Sequence, residues 1–331
     1  MSAARASALL ARAGRNGPAL LCGGVLIGLV APVLAEAARP MMGVAVFVFT
    51  LGAFLKVDAA AFRAEVAERR STLLILVWSS FGVPLLAYSF VQAAAPSAGL
   101  ALGLLLCALA PPVGSAAAIA AMLGLSAPLA LLATVVATLA APLYLPPLAA
   151  LLAGAELSID PLSMSLRLGA IVGGAALTAW LLRRRAGRWV AENPNAMTGI
   201  AVLGLLLVAI GAMRGMREEI MAAPGQAALL LGLAFLVNAG LQATGALLFA
   251  ALERRRALTV GLVSGNRNIT LVWAAAAPFL ADHPSVELFL AMSVFPIFML
   301  PLATRRVFAA LMERAPASAG AAVSLQGRAQ R

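Results

Sequence analysis

The sequence predicts an all-α polytopic membrane protein: ten transmembrane helices in two inverted five-helix repeats, with spans 4 and 9 broken and crossing. Three observations predict it. The chain has 331 residues, 63% hydrophobic and only 11% charged, with a mean hydropathy of +0.98, whereas soluble domains carry about 25% charged residues. Its apolar stretches are separated by loops that are basic in alternation. Two stretches carry helix-breaking polar clusters at the same place in each half.

A spanning helix needs about 20 mostly apolar residues. Segments 17–37, 40–55, 71–95, 99–123, 126–153, 164–182, 196–213, 225–251, 257–280 and 285–303 qualify, the second being short. Residues 1–16 read as a cytoplasmic N-terminus. Arg5, Arg12 and Arg15 precede the apolar run Ala19 to Leu34, and Val33-Leu34-Ala35-Glu36-Ala37 is similar to a signal-peptide cleavage site. The length of the run and the repeat favour a retained first span. Spans 1–5 make a first repeat over 17–154, and spans 6–10 a second over 164–303. Residues 56–70 form a partly helical connector. Pro142, Pro146 and Pro147 kink the outer end of span 5. Residues 183–195 read as a long basic cytoplasmic loop. Residues 304–331 are a cytoplasmic tail that becomes rich in Ala, Ser and Gly after Arg314 and is partly disordered.

With both termini in the cytoplasm, 19 Lys and Arg residues fall on that side. Only Arg39, Arg214 and Arg217 fall opposite, and Arg167 and Arg267 lie within spans. That asymmetry orients a membrane protein. The net charge of +11 therefore reads as a topology signal and not as a nucleic-acid surface. Cys22 and Cys107 both lie in apolar spans as packed thiols, with no disulfide or metal-ligand spacing.

The polar clusters are Pro111-Pro112-Val113-Gly114-Ser115 in span 4 and Ser264-Gly265-Asn266-Arg267-Asn268 in span 9. Arg267 lies about 15 Å into its span and Pro111 to Ser115 about 18–24 Å into theirs, at 1.5 Å per residue. Both sit near the middle of a roughly 30 Å hydrocarbon core. Interrupted spans at matching positions point to a transporter site at the repeat interface. Half-helix N-termini there favour an anion, and carbonyl ends favour a cation. An arginine at this depth costs about 2.5–3.5 kcal/mol on insertion scales, so something must answer it.

These residues resemble the bile acid:sodium symporter superfamily, whose bacterial members have ten spans in an inverted repeat. Span 4 of that family carries Pro-Gly-Gly and then Ser-Asn; here the text is Ala110-Pro111-Pro112-Val113-Gly114-Ser115-Ala116-Ala117. Span 9 carries Gly-x-Glu-Thr-Gly-x-Gln-Asn; here it is Gly261-Leu262-Val263-Ser264-Gly265-Asn266-Arg267-Asn268. The resemblance implies a panel of spans 1, 2, 6 and 7 and a core of spans 3–5 and 8–10. It also implies alternating-access transport of a small organic anion, in a bacterial inner membrane. Val263 stands where the family has its sodium-ligating glutamate and Arg267 where it has a glutamine. Ala116 and Ala117 stand for the Ser-Asn pair, Ala130 for a span 5 serine, and Ser79 for the span 3 glutamine. No Asp or Glu lies centrally in any span, Glu287 being the nearest. A hard cation prefers several oxygens including a carboxylate, so a standard two-sodium site is not expected. No other cofactor is expected either.

The expected substrate-binding residues are Arg267, Asn266, Asn268, Ser264, Pro112, Gly114, Ser115, Asn238 and Gln242. Residual ion binding falls to Thr134, Thr138 and Ser79. Arg267 has two readings. It is a fixed cation that meets substrate or cavity where the family holds a mobile ion, or it is a plug on the carbonyls of the span 4 break. Asn238 and Gln242, one turn apart, either face the crossing or bond a neighbouring helix. Thr134 and Thr138 line the site or bond their own i−4 carbonyls. Uniport, exchange and sodium coupling through Thr134 and backbone carbonyls stay open. An enzyme is not expected: the only histidine, His283, is in an external loop and no nucleophile–base pair lies in the spans. The alternative is a channel or sensor that keeps the transporter fold.

Overall fold

The computed structural model describes residues 3–57, 59–153, 160–280 and 283–313. They are nearly all helical, and among them the sole β feature is one isolated bridge. Seven helices are long and apolar enough to cross a membrane: Pro32–Leu55, Arg69–Ala94, Ala127–Leu152, Pro161–Glu192, Pro194–Gly211, Pro224–Leu248 and Pro284–Met312. Two shorter apolar helices, Ala98–Leu109 and Ile269–Phe279, accompany them. This composition supports an integral membrane protein.

The chain opens with α1 (Ala3–Arg15), α2 (Gly17–Val30) and α3 (Pro32–Ala38), and α3 passes through one 3-10 turn into α4 (Met42–Leu55). Then come α5 (Ala59–Ala67), α6 (Arg69–Val77) and α7 (Val83–Ala94), the last two joined by a π turn at Trp78–Gly82. Next are α8 (Ala98–Leu109), α9 (Ala116–Met122), α10 (Ala127–Ala153), α11 (Pro161–Glu192) and α12 (Pro194–Gly211). The remainder is α13 (Met216–Ala222), α14 (Pro224–Leu248), α15 (Arg254–Gly265), α16 (Ile269–Ala276), α17 (Pro284–Met292) and α18 (Val294–Glu313). Proline opens α3, α11, α12, α14 and α17, where its missing N–H costs nothing and its fixed φ suits a first turn. Asp160 caps α11, accepting from the N–H groups of Leu162 and Ser163, each at 3.1 Å.

Two glycine seams let helix backbones meet. α12 is a post flanked by α1–α2 on one side and α3–α4 on the other. Leu10 lies against Gly199 and Ile210 against Gly28, so α1–α2 run parallel to the post; Gly52 lies against Ala201 and Ala38 against Gly211, so α4 runs antiparallel. A Cβ at Gly199 would lie 1.9 Å from the Leu10 carbonyl oxygen. The second seam joins α14 to α15. There a Cβ at Gly261 would lie 2.4 Å from the Gln242 carbonyl, and one at Gly265 2.4 Å from that of Asn238. Without a hydrophobic force between helices in lipid, such close packing holds them together.

Several boundaries move from the sequence reading. Residues 3–15, within the segment read as the cytoplasmic N-terminus, form helix laid along the foot of α12, because α1 is amphipathic and its Leu10 backbone and Gly14 meet Gly199. The turn after the first run comes at Ala31, not near residue 38, since Pro32 starts the next helix. α11 carries on through the expected 183–195 loop to Glu192, broken only at Ala186 (φ −134°). α10 stays helical through Pro142, Pro146 and Pro147. Residues 304–313 belong to α18; the disorder expected after Arg314 lies outside the described residues, as does the side chain of Cys22.

Gly261→Leu is expected to destabilise the protein by about 3 kcal/mol, the upper end of the overpacking range, since the clash is with backbone. Gly240→Ala on the same helix pair meets nothing within 4 Å and should leave stability equal or raised by up to about 1 kcal/mol. Equilibrium unfolding in mixed micelles separates the two.

Candidate functional site

Two helix breaks form the site, and proline chemistry explains the first. α8 ends at Leu109, and Pro111 and Pro112 supply no N–H to continue it. The chain goes extended at Ala110 (φ −57°, ψ 140°) and restarts as α9. The second break separates α15 from α16 at Asn266–Asn268. The two breaks pair as a short antiparallel bridge, Pro112 opposite Arg267. Val113 N–H donates to the Asn266 carbonyl at 2.9 Å, and Asn268 N–H donates to the Pro111 carbonyl at 2.6 Å. Pro112 is tolerated because it occupies the non-hydrogen-bonded position of the pair. The backbone groups that the breaks free thus satisfy one another in the interior, as lipid requires.

The Arg267 side chain is 2% exposed. One terminal nitrogen donates to the Ser79 carbonyl at 2.8 Å and the Ala108 carbonyl at 2.7 Å. The other donates to Ser79 Oγ at 3.1 Å and reaches the Val263 carbonyl at 3.5 Å. Both short carbonyl contacts trace to a proline. The helical partner of Ala108 would be the N–H of residue 112, and Pro112 has none. In the π turn, Val83 N–H already donates to Trp78; the partner of Ser79 in that register would be Pro84, which has no N–H. The guanidinium therefore fills a seat made of orphaned carbonyls. Charge-assisted hydrogen bonds contribute about 1.5–3 kcal/mol each, so two or three offset the 2.5–3.5 kcal/mol cost of insertion. The charge itself stays uncompensated: no ion pair among the described residues involves Arg267, and its Nε is buried without a partner.

A second network holds Asn266. Asn238 Nδ2 donates to the Gly265 carbonyl at 2.9 Å and to Asn266 Oδ1 at 3.2 Å, and Gln242 Nε2 donates to Asn238 Oδ1 at 2.7 Å. Asn266 Nδ2 donates to the Ile297 carbonyl at 3.4 Å, which Pro301 leaves without a helical donor. The other expected residues have local duties. Asn268 caps α16, accepting from Leu271 N–H at 3.2 Å. Ser264 donates to the Val260 carbonyl and accepts from Trp78 Nε1 at 2.8 Å. Gly114 admits Phe49 of α4, whose ring edge would lie 2.8 Å from a Cβ there. Ser115 opens α9 with its hydroxyl buried and unpartnered. Thr134 donates to the Val113 carbonyl at 3.3 Å, so it braces the first break; Thr138 is buried one turn on in α10. Ser79 faces Arg267 with both its hydroxyl and its carbonyl.

Beside the crossing lies a cavity of about 330 Å³ bounded by α7, α8 and α14. Arg267, Asn238, Ser293, Cys107 and Gly265 are among its lining residues, and the rest are chiefly aliphatic. The plug reading of Arg267 fits the Ala108 carbonyl beside the span 4 break; sequence reasoning missed the π turn and the carbonyls of Ser79 and Ile297. The signal was present in Pro84, Pro112 and Pro301, five or four residues after the carbonyls they free. At the other end of α16, Glu287 is paired with Arg39, accepts from Trp273 Nε1 at 3.2 Å, and stands well away from the crossing's hydrogen bonds. The Arg39 guanidinium also lies 5.2 Å from the Trp273 ring centre. Nearby, burial and the Glu287 charge raise the pKa of Glu219 on α13.

The chain matches no protein-family model, and no curated protein matches it.

Arg267→Met is expected to cost about 2–4 kcal/mol, the loss of charge-assisted bonds that leaves buried acceptors unmet. In a Pro112→Ala background the same change should cost about 1 kcal/mol less, because the restored N–H can serve the Ala108 carbonyl. A double-mutant cycle of unfolding free energies checks this. Strict additivity would mean that the Ala108 carbonyl is not what the guanidinium serves.

Proposed function

We propose that this protein is a secondary-active carrier of small organic anions, working by alternating access, with ten helical runs in two inverted halves and both termini cytoplasmic. The observation that carries the reading is Arg267: a buried guanidinium, uncompensated by any carboxylate among the described residues, in the wall of a cavity where two broken helices pair. Ionisable groups inside a membrane mark substrate or ion pathways, and broken helices crossing at mid-depth are the usual frame of such a site.

Three features support the ten-run count. The runs 3–30, 98–122 and 254–279 fall short of the length rule only because each is interrupted, at Asn16, Ala110–Ser115 and Asn266–Asn268. Neighbouring runs alternate in direction where their contacts fix it, as with α4 against α12 and α14 against α15, while α8 and α17 lie parallel. The basic residues gather at one end of these runs. The resemblance to bile acid:sodium symporters belongs to this reading through the placement of the breaks. The built-in cation sets it apart: Arg267 occupies an oxygen-lined seat of the kind a mobile cation would need, so transport is proposed to run without sodium at the crossing.

Purified protein in liposomes should exchange a labelled organic acid across the membrane saturably and with equal rate in sodium or choline buffer. Arg267→Gln should slow that exchange by about 100-fold, near 3 kcal/mol. A strict sodium requirement would sink the fixed-cation part. Flux without saturation or counterflow would sink the carrier.

A further inference from the structure

The cavity beside Arg267 is open on one side, and its rim differs from its floor. The floor is polar and closed: Arg267 is 2% exposed, Asn238 5%, Ser293 6% and Cys107 7%. The rim is apolar and exposed: Leu236 is 68% exposed, Phe90 53% and Leu86 38%. These rim residues come from α7 and α14. Both belong to spans whose apolar surface is mostly unburied. In a bilayer that surface faces acyl chains. α14 packs on α15, α17 and α18.

We infer that this slot is a lateral binding site, open to the bilayer between α7 and α14, for a single-chain amphiphile with a carboxylate head, the fatty-acid class. The head lies against Arg267 and the chain lies along the rim. The inference rests on the carrier reading only in taking Arg267 as the charge that holds an anion. Two observations point to the ligand. Arg267 carries a full charge with no carboxylate partner among the described residues, and its Nε donor is buried without an acceptor. A carboxylate supplies both the charge and the acceptor. The walls that lead from that group to the mouth are aliphatic and aromatic, which an acyl chain matches and a small hydrophilic acid does not. Arg267 also sits near mid-depth by its place in the span, about 15 Å from the interface. A two-chain phospholipid holds its charged phosphate at the interface, whereas a single-chain acid can reach that depth in its neutral, protonated form.

Gly240 gives a clean test. It lines the cavity, and a Cβ there meets nothing within 4 Å. Gly240→Phe therefore fills the slot without a clash at its base, in a helix that tolerates the loss of a glycine. The experiment measures binding of labelled laurate to the purified full chain in phosphatidylcholine nanodiscs, counted above empty discs, together with the melting temperature. Laurate is expected to bind saturably. Unlabelled laurate should displace it, while dodecanol and acetate in large excess should not. Gly240→Phe should weaken laurate binding by about tenfold or more with no fall in melting temperature, and Arg267→Gln should weaken it as well.

Displacement by dodecanol as strong as by laurate would remove the role of the charge. Displacement by acetate as strong as by laurate would remove the role of the chain. Unaltered binding in Gly240→Phe, or no saturable binding at all, would overturn the site. These results are separable from the carrier reading. Sodium-free counterflow of water-soluble acids with no laurate binding keeps the carrier and removes this site. Laurate binding without counterflow of any acid keeps the site and removes the carrier.

Discussion

Everything at the centre of this protein depends on one constraint: in lipid, each backbone carbonyl and N–H needs a partner inside the protein. Prolines at 84, 112 and 301 withdraw donors from three helices, and the freed carbonyls of Ser79, Ala108 and Ile297 would each be costly if left bare. Two side chains collect them. Arg267 takes Ser79 and Ala108, and Asn266 takes Ile297. Both belong to the same three-residue break, which also pairs with the Pro111–Val113 backbone. The crossing is therefore a hub at which the α6–α7 π turn, α8 and α18 satisfy their defects through the α15–α16 junction, while Asn238 of α14 serves that junction's Gly265 carbonyl.

The same constraint shapes the ends of the helices. Last-turn carbonyls have no intrahelical donors, and arginines at the basic end serve such carbonyls and those of the connections just past them. Arg183 donates to Leu55 and Val57, Arg255 to Leu125 at 3.2 Å, and Arg254 to Leu311 at 2.9 Å. Arg256 joins α15 to the connector through Glu65 at 2.9 Å. The basic residues that read in sequence as topology markers are thus also helix caps. One residue type meets two needs because a guanidinium has five donors and keeps its charge.

The all-helical, membrane-spanning class and the position of both breaks were legible because their signals are local: long apolar runs, proline pairs, and polar residues inside them. Arg267 and Asn266 stood out for the same reason. Boundaries were less legible. Ala3–Arg15 is too polar to score as a span, yet it folds as helix because α12 offers Gly199 as a surface to lie on. The extension of α11 past Arg183 was hidden by charge, which marks a membrane edge but does not stop a helix. In the site, a carbonyl of the span 4 break was a foreseeable partner of Arg267, but its pairing with the Ser79 backbone was hidden because the two lie far apart in sequence. A main-chain acceptor carries no residue-type signature; only the later proline betrays it.

The way Arg267 is bound bears on what can move. Its hydrogen bonds tie the π turn between α6 and α7, the end of α8 and the α15–α16 junction into one piece, and the α14–α15 glycine seam adds α14. Sliding any of these past another would expose a carbonyl that nothing else can serve. The α12 post with α1–α4 touches this piece through Phe49 against Gly114, through α4 packed on α16, and through Arg39, which pairs with Glu287 and lies over the Trp273 ring. An alternating-access cycle built on this chain must therefore keep the crossing intact. On the proposed carrier reading, the movement would fall between the two groups of helices, where the Arg39–Glu287 pair can break without stranding a buried backbone group. A fixed cation would suit such a cycle: it would travel with the crossing and hold the carbonyl seat throughout, so the site would not need to be reassembled by an ion at each turn.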